Sequence, residues 1–118
     1  MLGDISKAEH IYLVTGYTDM RRSIDGLAAI IEKNYKLDPF SNSLFLFCGR
    51  SSFKLKALYW EGDGFVLLYK RLENGKFKWP RTEQEALHIS NQQFRWLLEG
   101  LEIIQPKAVQ KESAKNIV

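Results

Sequence analysis

Residues 55–80 read LKALYWEGDGFVLLYKRLENGKFKWP. Apolar and aromatic runs flank two turn signals, EGDG at 61–64 and ENGK at 73–76, a pattern that marks antiparallel strands joined by short loops. Asn74-Gly75 is the strongest short hairpin signal a sequence can carry, because a type I′ turn needs positive φ at both central residues. The stretch predicts three strands, over residues 53–60, 65–72 and 76–79.

Symmetric pairing across both turns assigns faces. Trp60 opposite Phe65 and Glu73 opposite Lys76 put Phe53, Leu55, Ala57, Tyr59, Val66, Leu68, Leu72, Phe77 and Trp79 on one face, with Lys70 its only charge. That is a core face. The other carries Lys54, Lys56, Leu58, Trp60, Phe65, Leu67, Tyr69, Arg71, Glu73, Lys76 and Lys78. There Arg71 is expected opposite Lys78 and beside Lys54, and like charges directly across a sheet repel. Towards the EGDG turn, Trp60, Phe65 and Tyr69 are expected to form an aromatic cluster. A basic patch beside exposed aromatics suits phosphate contact and base stacking. The plainer alternative is that the first helix covers the aromatics and the lysines guard a sheet edge against aggregation.

Working outward, IYLVT at 11–15 reads as a short strand closed by Gly16. Asp19 is expected to cap a helix running to Tyr35, with Ile24, Leu27, Ile31 and Tyr35 three and four apart. Arg21 and Arg22 would then sit in the first helical turn, where the macrodipole disfavours cations by about 0.3–1 kcal/mol each. An anionic partner, or a carboxylate such as Asp25, would relieve this. LDPFSNS at 37–43 is a turn, and residues 44–48 and 86–89 are further strands. Ser90 with Gln93 forms a capping box before a helix bearing Phe94, Leu97, Leu98 and Leu101. These elements predict a single α+β domain over residues 1–104, a mainly antiparallel sheet of four or five strands packed by two helices. Residues 105–118 read as a polar, Lys-rich, disordered tail.

Composition excludes several classes. Hydrophobic residues are 45% and charged residues 26% of 118, the balance of a soluble globular protein. The start, MLGDISKAEH, has no basic segment followed by an apolar one, so export and membrane spanning are not expected and the chain is placed in the cytoplasm. Cys48 is the sole cysteine and reads as a buried structural thiol; with only His10 and His88 beside it, no zinc site is expected. The carboxylates Asp19, Asp25, Asp38 and Asp63 show no convergent pattern, and neither a phosphate-cradling loop nor a nucleophile with a matched base is present. No catalytic residue, metal or cofactor is predicted. Charge is uneven: Arg50 to Arg81 holds eight basic against three acidic residues, while the rest of the chain sums to −2. A polyanionic partner would match that middle.

The strings GYTDMRRSIDGL at 16–27, LDPFSNSLFLF at 37–47 and the opening stretch at 55–80 together resemble the TnpB, or second-reading-frame, accessory protein of the insertion-sequence family numbered sixty-six. This is not the longer RNA-guided nuclease that shares the TnpB name. The resemblance implies a small protein made beside a DDE-type transposase, needed for efficient transposition and supplying no catalytic residues. Where that family carries an arginine cluster after the LFxF strand, this chain keeps only Arg50. The expected function is non-catalytic binding of DNA at the element ends, of the transposase, or of both. Arg21, Arg22, Arg50, Lys54, Lys56, Arg71, Lys76 and Lys78 are the candidate phosphate contacts, and Trp60 and Tyr69 the candidates for stacking or a partner contact. The alternative is a pure adaptor for the transposase, with its aromatic patch as the docking surface and its lysines serving solubility.

Overall fold

A computed structural model describes residues 3–105. The expected tail therefore lies almost entirely outside the described residues. A short 3₁₀ turn, Ile5–Lys7, leads into strand β1 (His10–Val14), helix α1 (Ile24–Tyr35), strands β2 (Ser43–Cys48), β3 (Lys54–Trp60), β4 (Phe65–Arg71) and β5 (Ala86–Ile89), and helix α2 (Asn91–Leu98). The five strands form one sheet in the order β4-β3-β2-β1-β5. All neighbours are antiparallel except β1 and β2, which run parallel because α1 carries the chain back between them. The α+β domain with a mainly antiparallel sheet and two helices is as expected.

Both sheet faces are covered. On one, Leu13, Leu44, Leu46, Leu55 and Ala57 pack with Phe77, Trp79, Leu97 of α2 and Ile103. On the other, Val14, Phe45, Phe47 and Leu58 pack under Leu27 and Ile31 of α1. Every residue of β2 is buried, as suits the central strand of a sheet clothed on two sides. The first hairpin has the expected register: Trp60 pairs Phe65 and Lys54 pairs Arg71.

Two expectations are corrected. The segment 76–79 is no strand. Gly75 does turn the chain, with φ of 82°, but Leu72 N–H and Phe77 N–H instead reach Phe53 and Ser52 carbonyls at 2.8 and 2.7 Å. The reason is topological. β5 lies at the far edge, four strand spacings or about 19 Å from β4, so the chain after β4 must cross the sheet rather than extend it. It crosses by burying Phe77 and Trp79, whose indole Nε1 donates to the Val14 carbonyl at 2.9 Å. Lys78 is therefore not opposite Arg71, and the expected trio of Lys54, Arg71 and Lys78 does not form.

Helix α1 starts after Ser23, not after Asp19. The carbonyls of Met20 and Arg22, which would serve a helix starting there, instead accept from Lys56 Nζ, each at 2.7 Å. Asp19 caps a tight turn through Arg21 N–H at 2.9 Å. Arg21 and Arg22 thus belong to a loop ahead of the helix, and the macrodipole argument does not apply to them. The Ser90–Gln93 capping box of α2 is present in both directions.

Candidate functional site

The loops that follow β1 and β2 leave the same end of the sheet, because these two strands are parallel neighbours. Crevices beyond the carboxyl ends of such strands are a recurrent ligand position in open sheets. Here Thr18 N–H donates to the Cys48 carbonyl at 2.8 Å, tying the loops together. Between them lies an open cleft of about 360 Å³ lined by Tyr17, Thr18, Asp19, Met20, Gly49, Arg50, Ser51 and Lys54. Its floor is tight: a Cβ on Gly49 would stand 2.8 Å from Met20 Cγ.

Cations gather around this cleft. Arg50 and Lys54 line it, Arg21 and Arg22 follow its lining residues in the chain, and Arg71 stands opposite Lys54 across the β3–β4 pair. Arg50 Nη2 donates to Tyr17 Oη at 2.7 Å, and its guanidinium lies 4.5 Å from the Tyr17 ring centroid. Arg21 is paired with Asp19, donating from Nε at 3.0 Å and Nη2 at 2.7 Å. Those bonds, with the Arg21 backbone N–H, hold the Asp19 carboxyl well below the usual carboxylate range. Arg71 pairs with Glu73 at 2.9 Å. Among the described residues Arg22, Arg50 and Lys54 have no carboxylate partner.

Four other basic residues stand differently. Lys56 is a tether, since its ammonium is turned to the Met20 and Arg22 carbonyls. Lys76 and Lys78 are exposed on the crossing segment, outside the cleft lining. Arg81, which the sequence reading passed over, is the clamp of the site. It donates to the Gly49 carbonyl at 2.6 Å, Ser52 Oγ at 2.7 Å and the Arg50 carbonyl at 3.2 Å, and also to the Gly16 carbonyl. Its Nη2 is 3.9 Å from Cys48 Sγ. Burial nevertheless pushes that thiol up to about 11, with the Arg81 charge opposing the shift. Only the fork of a guanidinium reaches so many acceptors at once, but nothing in the sequence pattern of 76–82 announces which loops it will meet.

The aromatic residues divide. Trp60 and Phe65 pack edge to face at 4.9 Å between centroids, and Phe40, from the turn after α1, joins them at 5.0 and 5.2 Å. Tyr69 is not in that cluster; it pairs with Lys56, whose Nζ is 5.9 Å from its ring centroid. Trp60 and Lys54 are the two ends of one strand, about 20 Å apart at the rise of a β-strand. Trp60 and Phe65 therefore stand apart from the cations, and of the expected aromatic cluster only Tyr69 lies beside them. At the basic end stand Tyr69, 53% exposed and one same-face pair along from Lys54 and Arg71, and Tyr17, another residue the sequence reading missed. A Gly-Tyr-Thr closing a strand signals a loop but not its company.

Among the described residues no three His, Cys, Asp or Glu side chains converge, and no helix is long and apolar enough to cross a membrane.

Fold and site together define a small sheet-and-helix domain whose β1 and β2 loops form a cation-rich end around a shallow cleft. The chain belongs to the family described as IS66 Orf2 like protein, whose model matches residues 9–108. Family membership assigns it a role in the transposition of an insertion sequence. It is similar to two proteins of Sinorhizobium fredii (strain NBRC 101917 / NGR234), both described as uncharacterized. It is 39% identical to y4hO over 97 residues, covering 82% of this chain and 84% of that one. It is 35% identical to y4jC over 97 residues, covering 82% and 83%. No solved structure matches it.

Proposed function

We propose that the chain serves transposition as a non-catalytic DNA-binding accessory, seating the sugar–phosphate backbone of an element end on the basic end of its sheet. The observation that carries this reading is that Arg50 and Lys54 line one cleft without carboxylate partners among the described residues. Unpaired cations held by an ordered loop and a strand end suit phosphate contact, and release of condensed counterions would drive the association. The nearby carboxylates of Asp19 and Glu73 are each engaged by an arginine, which supports a binding rather than a catalytic role.

Fluorescence anisotropy with element-end and random duplexes over a salt series tests the reading. Affinity should fall steeply with salt, and no nicking should appear when magnesium or manganese is added. Absence of duplex binding at low salt refutes it, as does metal-dependent cleavage that follows the protein through purification.

A second reading, direct contact with the transposase, is favoured by Phe40. It is 54% exposed although it caps the Trp60–Phe65 pair at the opposite end of the hairpin. Capture of purified transposase by the wild type but not by a Phe40→Ser protein would support that contact.

A further inference from the structure

We infer that the cleft takes one unpaired nucleotide of a DNA end, with its base against Tyr17 and its phosphate on Arg50 and Lys54. This rests on the DNA-binding reading and specifies which form of DNA is preferred. The cleft volume, about 360 Å³, lies near the lower limit of pockets that enclose a single small ligand, roughly 300–1,000 Å³. A continuous duplex keeps its bases stacked inside and could offer such a cleft only phosphates at the rim. A base reaches a side pocket when it has left the stack, and at an unpaired end it has already done so.

The groups present match the parts of a nucleotide. Tyr17 is 48% exposed, although one ring face is taken by the Arg50 guanidinium at 4.5 Å. A base that stacks on the open side completes a guanidinium–tyrosine–base sandwich. Arg50 gives one N–H to Tyr17 Oη and its carbonyl accepts from Arg81, so further guanidinium donors remain for a phosphate. Lys54, the other lining cation, is positioned by the β3–β4 pair. Met20 supplies an apolar floor pressed against Gly49. Asp19, the acidic lining residue, is neutralised by Arg21 and so does not repel the incoming phosphate.

The test uses the full chain and three labelled probes of one sequence: a blunt duplex, the same duplex with a short single-stranded extension, and the single strand. Anisotropy titrations should show the tailed duplex bound about tenfold more tightly than the blunt one, the scale of one stacked base. Tyr17→Leu should abolish the ratio of tailed to blunt affinity, and Tyr17→Phe should keep it. Arg50→Gln should weaken all three probes and lower the salt slope. Circular dichroism melts confirm folding of each variant. Equal wild-type affinity for blunt and tailed duplexes overturns the inference and leaves the DNA-binding reading standing. A preference that survives Tyr17→Leu overturns it too. Failure to bind any probe removes both.

Discussion

Lys56 and Arg81 show how differently a cation can be used a few residues from an exposed one. Both direct their charge at backbone carbonyls and fix loops, Lys56 the 20–22 segment and Arg81 the turns at Gly16 and Gly49–Ser52. Charged donors to part-buried acceptors contribute about 1.5–3 kcal/mol, and a lysine cannot reproduce a guanidinium fork. Arg81→Lys should therefore lower stability by about 2 kcal/mol in a denaturant titration and weaken DNA binding by loosening the loop that carries Arg50. Cys48 beside it is fully buried. Its thiol is pushed up from an ordinary 9.0 to about 11, so the folded state holds the proton more tightly than the unfolded state. Stability is then unaffected by this group below pH 9.0 and falls as pH rises towards about 11. A Cys48→Ala control should lack that loss in urea midpoints measured from neutral to alkaline pH. Thiol reagents at neutral pH should label Cys48 only after unfolding.

At the scale of elements, the hairpin β3–β4 and the crossing segment after it behave in opposite ways. The hairpin follows its turn, and its register places Lys54 against Arg71, although the edge strand β4 does not alternate in burial and leaves Leu68, read as a core residue, 37% exposed. The crossing segment has as good a turn signal and yet forms no strand, because it must reach β5 on the far side of β1. Its parity still predicts burial: Phe77 and Trp79 are 2% and 5% exposed, and the lysines between and before them face outward. Trp79→Ala should cost about 3–5 kcal/mol, a large core side chain removed and the Val14 carbonyl orphaned. Trp60→Ala should cost clearly less, since Trp60 is only half-buried at a strand end under Phe40. Equal shifts in denaturant midpoints would contradict this division of the two tryptophans.

At the scale of the whole molecule, charge is segregated along the sheet, with cations at the end where β1 and β2 finish and the Phe40–Trp60–Phe65 cluster at the far end of β3. If Arg22, Arg50 and Lys54 each meet a phosphate, replacing all three by Gln lowers the slope of log affinity against log salt by about 0.9 per lost contact on duplex DNA. A Lys76→Gln, Lys78→Gln double variant, altered outside the cleft, should keep a slope closer to the wild type. Anisotropy salt series on the two variants decide between a focused site and a diffuse field of lysines, which would give equal losses.

What the amino-acid order determined by itself is local: periodicity marked the five strands of the sheet and the body of both helices, EGDG placed Lys54 across from Arg71, Ser90 and Gln93 marked the start of α2, and parity sent Trp79 inward, whereas the strand read at 76–79 and the Asp19 cap of α1 did not form. Such features depend on neighbours within a few residues or directly across a turn. The cleft was not legible, because its walls are residues 17–20 and 49–54, brought together when α1 returns the chain to make β2 parallel to β1. The roles of Lys56, Arg81 and Tyr17 were hidden for the same reason. A lysine reads alike whether it faces solvent or a carbonyl 34 residues away, and only tertiary structure, by supplying that carbonyl, decides between them.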